Sequence, residues 1–269
     1  MLDFILEPPK IIKMKIAISG KGGVGKTTIS GVLCRVLGRK GFNVLAIDGD
    51  PNPNLSVVLG LEVPQMQAVR PLSPELLKRE EDSEGKVRAQ LAVPVDEVIS
   101  MYGVQAPDNV TLLMIGKPDH AGTGCMCSSH ATVREVIHSV VAESDRVAVL
   151  DMEASLEHMK RGTVKYIDAL YIVVEPYFRS LEAAVRLQTL GRELGIEKLF
   201  VVANKVRSTQ DERAIQEFCQ LNGLPLVAII PFDDKIVEAD RVGKPVLDLN
   251  GQSVAVKKIA ELADMIFKN

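Results

Sequence analysis

Short runs of valine, isoleucine and leucine recur at 14–19, 43–48, 110–115, 146–151, 169–174, 199–204 and 225–230, and most precede an amphipathic stretch of helical length. A strand with one wet face alternates apolar and polar residues, whereas a run that is apolar throughout is buried on both faces. The pattern therefore predicts parallel strands alternating with helices near 26–40, 130–143, 180–194, 211–221 and 252–267. The expected fold class is α/β, a doubly wound and mainly parallel sheet of seven to eight strands flanked by helices. Right-handed crossovers would gather the loops that follow the strands along one edge, where ligands bind in such sheets.

Two stretches depart from this rhythm. Residues 61–109 carry Pro64, Pro71, Pro74, Pro94 and Pro107 and the charged run Lys78–Lys86, and read as an excursion of short helix and loop from a single domain over 14–269. Residues 1–13, with a Pro8-Pro9 pair ahead of the first strand, read as an N-terminal extension. They have neither the basic start nor the apolar core of a signal peptide.

The first run leads directly into Gly20, Lys21, Gly22, Gly23, Val24, Gly25, Lys26, Thr27 and Thr28. The spacing G-x-x-x-x-G-K-[ST] is that of a phosphate-binding loop, in which glycines let backbone N–H groups close round phosphate oxygens. Lys26 reaches the β- and γ-phosphates, and the Thr27 hydroxyl is placed on magnesium. The helix that follows points its N-terminus at the same anion.

Further candidates stand at the ends of other strands. The second ends in Asp48-Gly49-Asp50-Pro51, which sets two carboxylates beside the loop. Phosphoryl transfer to water needs an acceptor that orients the water in line with the γ-phosphate. The fourth runs into Asp151, in the manner of a carboxylate that serves magnesium. The sixth ends in Asn204-Lys205-Val206-Arg207. A guanine-reading motif needs an acceptor at the fourth of these places, and Arg207 has none, so ATP is favoured over GTP. Plain turn residues are the competing account of the Asp48–Pro51 stretch and of Asn204.

Lys21 has no duty toward its own nucleotide that Lys26 does not already perform. The loop that carries it resembles that of the deviant P-loop ATPases, the superfamily of the nitrogenase iron protein and of division-site and plasmid-partition ATPases. That resemblance implies that Lys21 crosses a homodimer interface to the partner's phosphates, and that Lys21, Lys26 and Asp50 serve catalysis. It further implies that Asp50 lies near the attacking water, that Asp48 supports the magnesium shell, and that Asn204 contacts adenine. A solvated loop lysine is the alternative for Lys21.

Composition changes the picture little. The chain has 269 residues, 46% hydrophobic and 25% charged, with net charge −3, which gives no electrostatic case for nucleic acid or an anionic membrane. No run approaches the ~18 apolar residues of a membrane span. A soluble cytoplasmic enzyme is expected.

The four cysteines are more informative. Cys34 and Cys219 fall at apolar positions of predicted helices and read as packing residues. Cys125 and Cys127 are separated by Met126 in a glycine-containing loop, too close for an unstrained disulfide. One chain offers two thiolates where a closed soft-metal site takes four, and a symmetric dimer offers four. Such a site contributes on the order of 10–16 kcal/mol, comparable with the ~4–15 kcal/mol entropic cost of association. His130 is a possible neighbour, and two reduced loop thiols without a ligand are the plain alternative.

Gly20–Thr28, Asp48-Gly49-Asp50-Pro51, Cys125-Met126-Cys127, the stretch Asp151–His158 with Arg161-Gly162-Thr163, and Glu175-Pro176 together resemble the nickel-insertion ATPases of carbon monoxide dehydrogenase, the CooC type. The similarity extends over essentially the whole chain from Met14. It implies a maturation ATPase that uses ATP and magnesium and binds nickel(II), or zinc(II), through Cys125 and Cys127 of a homodimer. The client would be an apo-form of carbon monoxide dehydrogenase or of acetyl-CoA synthase. Glu153 and Ser155 stand where many such relatives have glycine. Two other functions remain open: an iron–sulfur carrier or reductase with a [4Fe–4S] cluster on the same thiolates, and a partition or membrane-positioning ATPase, which would want a basic amphipathic C-terminal tail.

Overall fold

The computed structural model describes residues 13–50, 53–81, 87–114, 139–152, 167–249 and 251–267. Their centre is an eight-stranded sheet of β1 (Met14–Gly20), β2 (Val44–Asp48), β5 (Val104–Ala106), β6 (Val110–Met114), β7 (Val147–Asp151), β8 (Ala169–Val174), β9 (Lys198–Val206) and β10 (Leu226–Pro231). Across the sheet the order is β10-β9-β8-β1-β7-β2-β6-β5, and every neighbouring pair is parallel except β5 with β6. The seven predicted apolar runs are seven of these strands. Those nearest the middle are buried along nearly their whole length, which explains why they read as unbroken apolar runs.

Alternate residues of each strand feed two separate cores. Ile16, Ile18, Val44, Ala46, Val147, Val149, Tyr171 and Val173 pack under α1 (Lys26–Arg39) and α8 (Val254–Ile266). Ala17, Leu45, Ile47, Leu150, Leu170 and Ile172 pack under α5 (Phe178–Glu193) on the opposite face. Helix α1 presents Ile29, Val32, Leu33, Val36 and Leu37 to the sheet at helical spacing, and Cys34 is buried with them. Cys219, in α6 (Thr209–Leu221), is likewise buried. In α8, Ile259, Leu262 and Ile266 are fully packed, so the terminal helix spends its apolar face on the core. Among the described residues no helix is long and apolar enough to cross a membrane.

The region 61–109 holds more regular structure than its sequence promised. It contains α3 (Val63–Ala68), a two-stranded antiparallel sheet of β3 (Leu77–Glu81) and β4 (Val87–Leu91), α4 (Val95–Tyr102), and then β5, which closes the edge of the main sheet. The charged run obscured the hairpin, at one end of which Leu77 lies opposite Leu91, and Leu91 is buried. Two more helices are too short for helical periodicity to announce them, α2 (Leu55–Leu59) and α7 (Asp234–Arg241), of five and eight residues. The helix predicted at 130–143 is present where it is described, at 139–143.

One topological fact positions the site. The chain leaves β1 and returns as β2 two places away, with β7 later inserted between them, while β8, β9 and β10 extend the other side. Strand order thus reverses at β1, and the loop after β1 opens into the crevice where doubly wound folds bind ligands.

Candidate nucleotide site

The loop after β1 is shaped by two close approaches. A side chain at Gly20 would meet the Val173 carbonyl oxygen of β8 at 2.4 Å, and one at Gly25 would meet Asn204 Nδ2 at 2.4 Å. Gly25 is also the N-cap of α1, with φ 94°, so it sits in the left-handed region where glycine is unpenalised. No side chain caps α1 and its first turn holds no acid, which leaves its N–H groups and its positive dipole end facing the loop. Lys26 is buried, and its ammonium donates to the Lys21 carbonyl at 3.4 Å. The Lys21 side chain is exposed at the outer rim. An uncapped helix end joined to a glycine cradle and a buried cation fits a polyphosphate.

Asp48 and Asp151 are register partners at the ends of adjacent strands β2 and β7, and both lie on the α1 face, each 1% exposed. Their settings differ. Asp48 Oδ2 accepts from Leu55 N–H at 2.9 Å and Oδ1 from Asp50 N–H at 3.2 Å, so this carboxylate folds the loop back and caps α2. Asp151 Oδ1 accepts from the Ser30 hydroxyl of α1 at 3.1 Å, while Oδ2 is buried with no hydrogen-bond partner. Burial raises both carboxyls. Asp151 goes up to about 6, driven first by desolvation and then by Asp48, with the Thr27 and Ser30 hydroxyls and Lys26 pulling the other way. Asp48 is raised by desolvation and held back by backbone N–H donors. A buried carboxylate oxygen without a donor, set near a threonine hydroxyl and a second acid, fits a hydrated divalent cation. Magnesium suits this set, since it is held through few carboxylates and keeps several of its waters.

Asp50 is half-buried at the end of β2. Asn204 is buried at the end of β9, and its amide donates to the Val24 carbonyl of the loop at 2.7 Å. The Arg207 guanidinium lies 3.4 Å from the centre of the Phe232 ring. Thus the structure gathers Gly20–Thr28, Asp48, Asp50, Asp151 and Asn204 at one edge. Cys125, Cys127, His130, Glu153 and Ser155 lie outside the described residues. Within those described, no group of three or more His, Cys, Asp or Glu side chains could hold a metal ion.

Sequence reasoning passed over Ser30 and Lys205. Ser30 lies one turn into α1 and carries no motif of its own. The ammonium of Lys205 contacts both the Gly23 carbonyl, at 2.5 Å, and Glu175 Oε1, at 2.6 Å. The charge complement of Glu175 and Lys205 at the ends of successive strands was the available signal.

Comparison with known proteins agrees with this geometry. The sequence model of the CobQ/CobB/MinD/ParA nucleotide binding domain matches residues 15–246. The chain is 38% identical over 241 residues to the carbon monoxide dehydrogenase accessory protein CooC of Rhodospirillum rubrum, covering 88% of this chain and 90% of that protein. It is 35% identical over 264 residues to an uncharacterized ATP-binding protein of Methanocaldococcus jannaschii, covering 95% and 98%. Among solved structures, the septum site-determining protein MinD of Pyrococcus horikoshii, complexed with Mg-ADP, aligns with a TM-score of 0.71 at 25% identity over 96% of this chain and 97% of that one.

Proposed function

Because the chain belongs to the CobQ/CobB/MinD/ParA nucleotide-binding family, as a CooC-type deviant P-loop ATPase, we propose that it is an ATP-driven nickel-insertion factor. It works as a cytoplasmic homodimer, and its client is carbon monoxide dehydrogenase or acetyl-CoA synthase. The observation that carries this reading is the joining, in one chain, of a phosphate-binding loop beside the buried acids Asp48 and Asp151 with the pair Cys125 and Cys127.

The loop amides, the α1 N-terminus and Lys26 hold the phosphates of ATP. Thr27 and Asp151 would hold magnesium, with Asp48, bonded to the backbone of its own loop, steadying the turn beside it. Magnesium supplies charge neutralisation to the transferring phosphoryl group. Asp50 orients the attacking water, and Lys21 extends from the exposed rim to the phosphates bound by the second copy. Asn204, already fixed to the loop through its amide, uses its oxygen to accept from adenine.

Nickel(II) is the cargo, held by four thiolates from two chains. Nucleotide and nickel both favour dimers, and if the two dimers differ in arrangement, each ligand alters the affinity for the other. Hydrolysis then changes the geometry round the sulfurs and releases the ion to the client.

Anaerobic nickel titration with mass determination, with and without a nonhydrolysable triphosphate, tests this. One nickel per dimer is expected, lost in C125A/C127A, which still binds ATP. A protein that stays monomeric under saturating nickel and triphosphate would overturn it, as would unchanged nickel stoichiometry in that variant.

A further inference from the structure

Two carbonyl oxygens of the phosphate loop are gripped by two successive residues of β9, one of which also pairs with the Glu175 carboxylate after β8. Lys205 Nζ lies 2.5 Å from the Gly23 oxygen and 2.6 Å from Glu175 Oε1, and Asn204 Nδ2 lies 2.7 Å from the Val24 oxygen. A trans peptide is planar, and its N–H points opposite to its C=O. Drawing the Gly23 and Val24 carbonyls outward therefore aims the N–H groups of Val24 and Gly25 into the loop. Val24 N–H meets only the Lys21 carbonyl, at a long 3.4 Å, and so is available to a stronger acceptor. The peptides need such a grip because Gly23 and Gly25, with φ 83° and 94°, flank them with soft torsions.

We propose that Lys205, braced by Glu175, is a positioning residue that pre-sets the loop amides for the phosphates of ATP. The backbone supports this independently. Lys205 has φ 57°, a left-handed conformation that a lysine adopts only where its surroundings impose it. That turn at the end of β9 swings the side chain back onto the loop. The side chain is 40% exposed, so the ion pair adds little to global stability, and its effect falls on the loop's order instead.

The proposal rests on the nucleotide site and is independent of nickel. The test uses the full-length chain and measures Mg·ADP affinity, kcat and KM for ATP, and the ligand-free melting midpoint. Lys205→Met is expected to weaken Mg·ADP and raise KM by roughly tenfold or more, the loss typical of a hydrogen bond to a charged group, at an unchanged ligand-free midpoint. Glu175→Gln should weaken binding less, the double variant no more than Lys205→Met alone, and Lys205→Arg should restore most of the loss. Wild-type affinity in Lys205→Met overturns the proposal, as does a loss matched by a fall in the ligand-free midpoint. Should the wild-type chain itself fail to bind Mg·ADP, the nucleotide site falls, and the clamp with it.

Discussion

Asp151→Asn isolates the central electrostatic feature of the site. In the ligand-free protein this carboxyl is raised from 3.8 to about 6. A group held more strongly protonated when folded leaves the protein fully stabilised below its unfolded value and penalises it as pH rises through the folded one. The unfolded chain has released its proton by about pH 4, while the folded chain keeps it until about pH 6, so stability falls over that window. At ~1.4 kcal/mol per tenfold change in proton affinity, the full penalty above pH 7 is on the order of 3 kcal/mol. Asparagine keeps the shape and cannot ionise. Its amide replaces an oxygen that already lacked a partner, and a buried unpaired donor returns about 1–3 kcal/mol of the gain.

The clean observable is therefore the pH dependence of the difference between variant and wild type, measured by urea unfolding in EDTA from pH 4 to 7.5. The variant should gain about 3 kcal/mol relative to wild type across that range. Asp48 lies beside Asp151 in register, so the difference reports the pair. With Mg·ATP present the order should reverse. The wild type gains about 2.7 kcal/mol at a hundredfold excess over its dissociation constant, and the variant loses most of that. A difference that stays flat between pH 4 and 7.5 would refute the reasoning.

Other expectations follow from particular contacts. Arg35 is buried in α1 and pairs with Asp108 and Asp248, each at 2.7 Å; Arg35→Met should destabilise by about 3 kcal/mol in urea unfolding, because both acids lose a buried cation, and a change below about 1 kcal/mol would argue against the network. Gly38→Ala places a methyl 1.6 Å from the Asp108 carbonyl oxygen, so the variant should unfold at least ten degrees lower or fail to accumulate. Cys34 is wholly buried with its thiol raised far above the usual range, and burial takes Cys219 to about 11. Neither should react with a thiol reagent in the native protein at pH 8, so C125A/C127A should react only after denaturation.

How far the sequence carried depends on what fixed each element. The β-strands of the sheet interior were legible because burial on both faces makes a run apolar regardless of its neighbours. The pieces that stayed hidden are fixed by single contacts. Helix α2 is five residues capped by the distant Asp48 carboxylate. Helix α7 buries only Ala239 and starts at Asp233, whose carboxylate accepts from Lys235 N–H and from the Ser253 hydroxyl of a later segment. No window of local periodicity contains such partners.

The same distinction divides the site. Glycine spacing and strand-end acids brought Gly20–Thr28, Asp48, Asp50 and Asp151 forward as candidates, and the strand order gathers them at one edge of the sheet. The roles expected of Asp48, Asp50 and Asp151 came from motif and resemblance, whereas the hydrogen-bond setting of each acid depends on strand order and helix phase, which no local motif shows. β7 inserts between β1 and β2, so Asp151 pairs in register with both Ile18 and Asp48. On that face the phase of α1 brings Ser30 to one oxygen of Asp151 and leaves the other bare. Asp48, by contrast, satisfies itself on the backbone of its own loop. Two like charges side by side and out of water are unfavourable unless one is neutralised. Below about pH 6 the protein meets that condition by keeping the Asp151 carboxyl protonated, and above that pH a hydrated divalent cation would meet it. Asp151 keeps one oxygen without a hydrogen-bond partner while both Asp48 oxygens accept from backbone N–H groups, and on that difference rests the proposal that Asp151 would receive the cation.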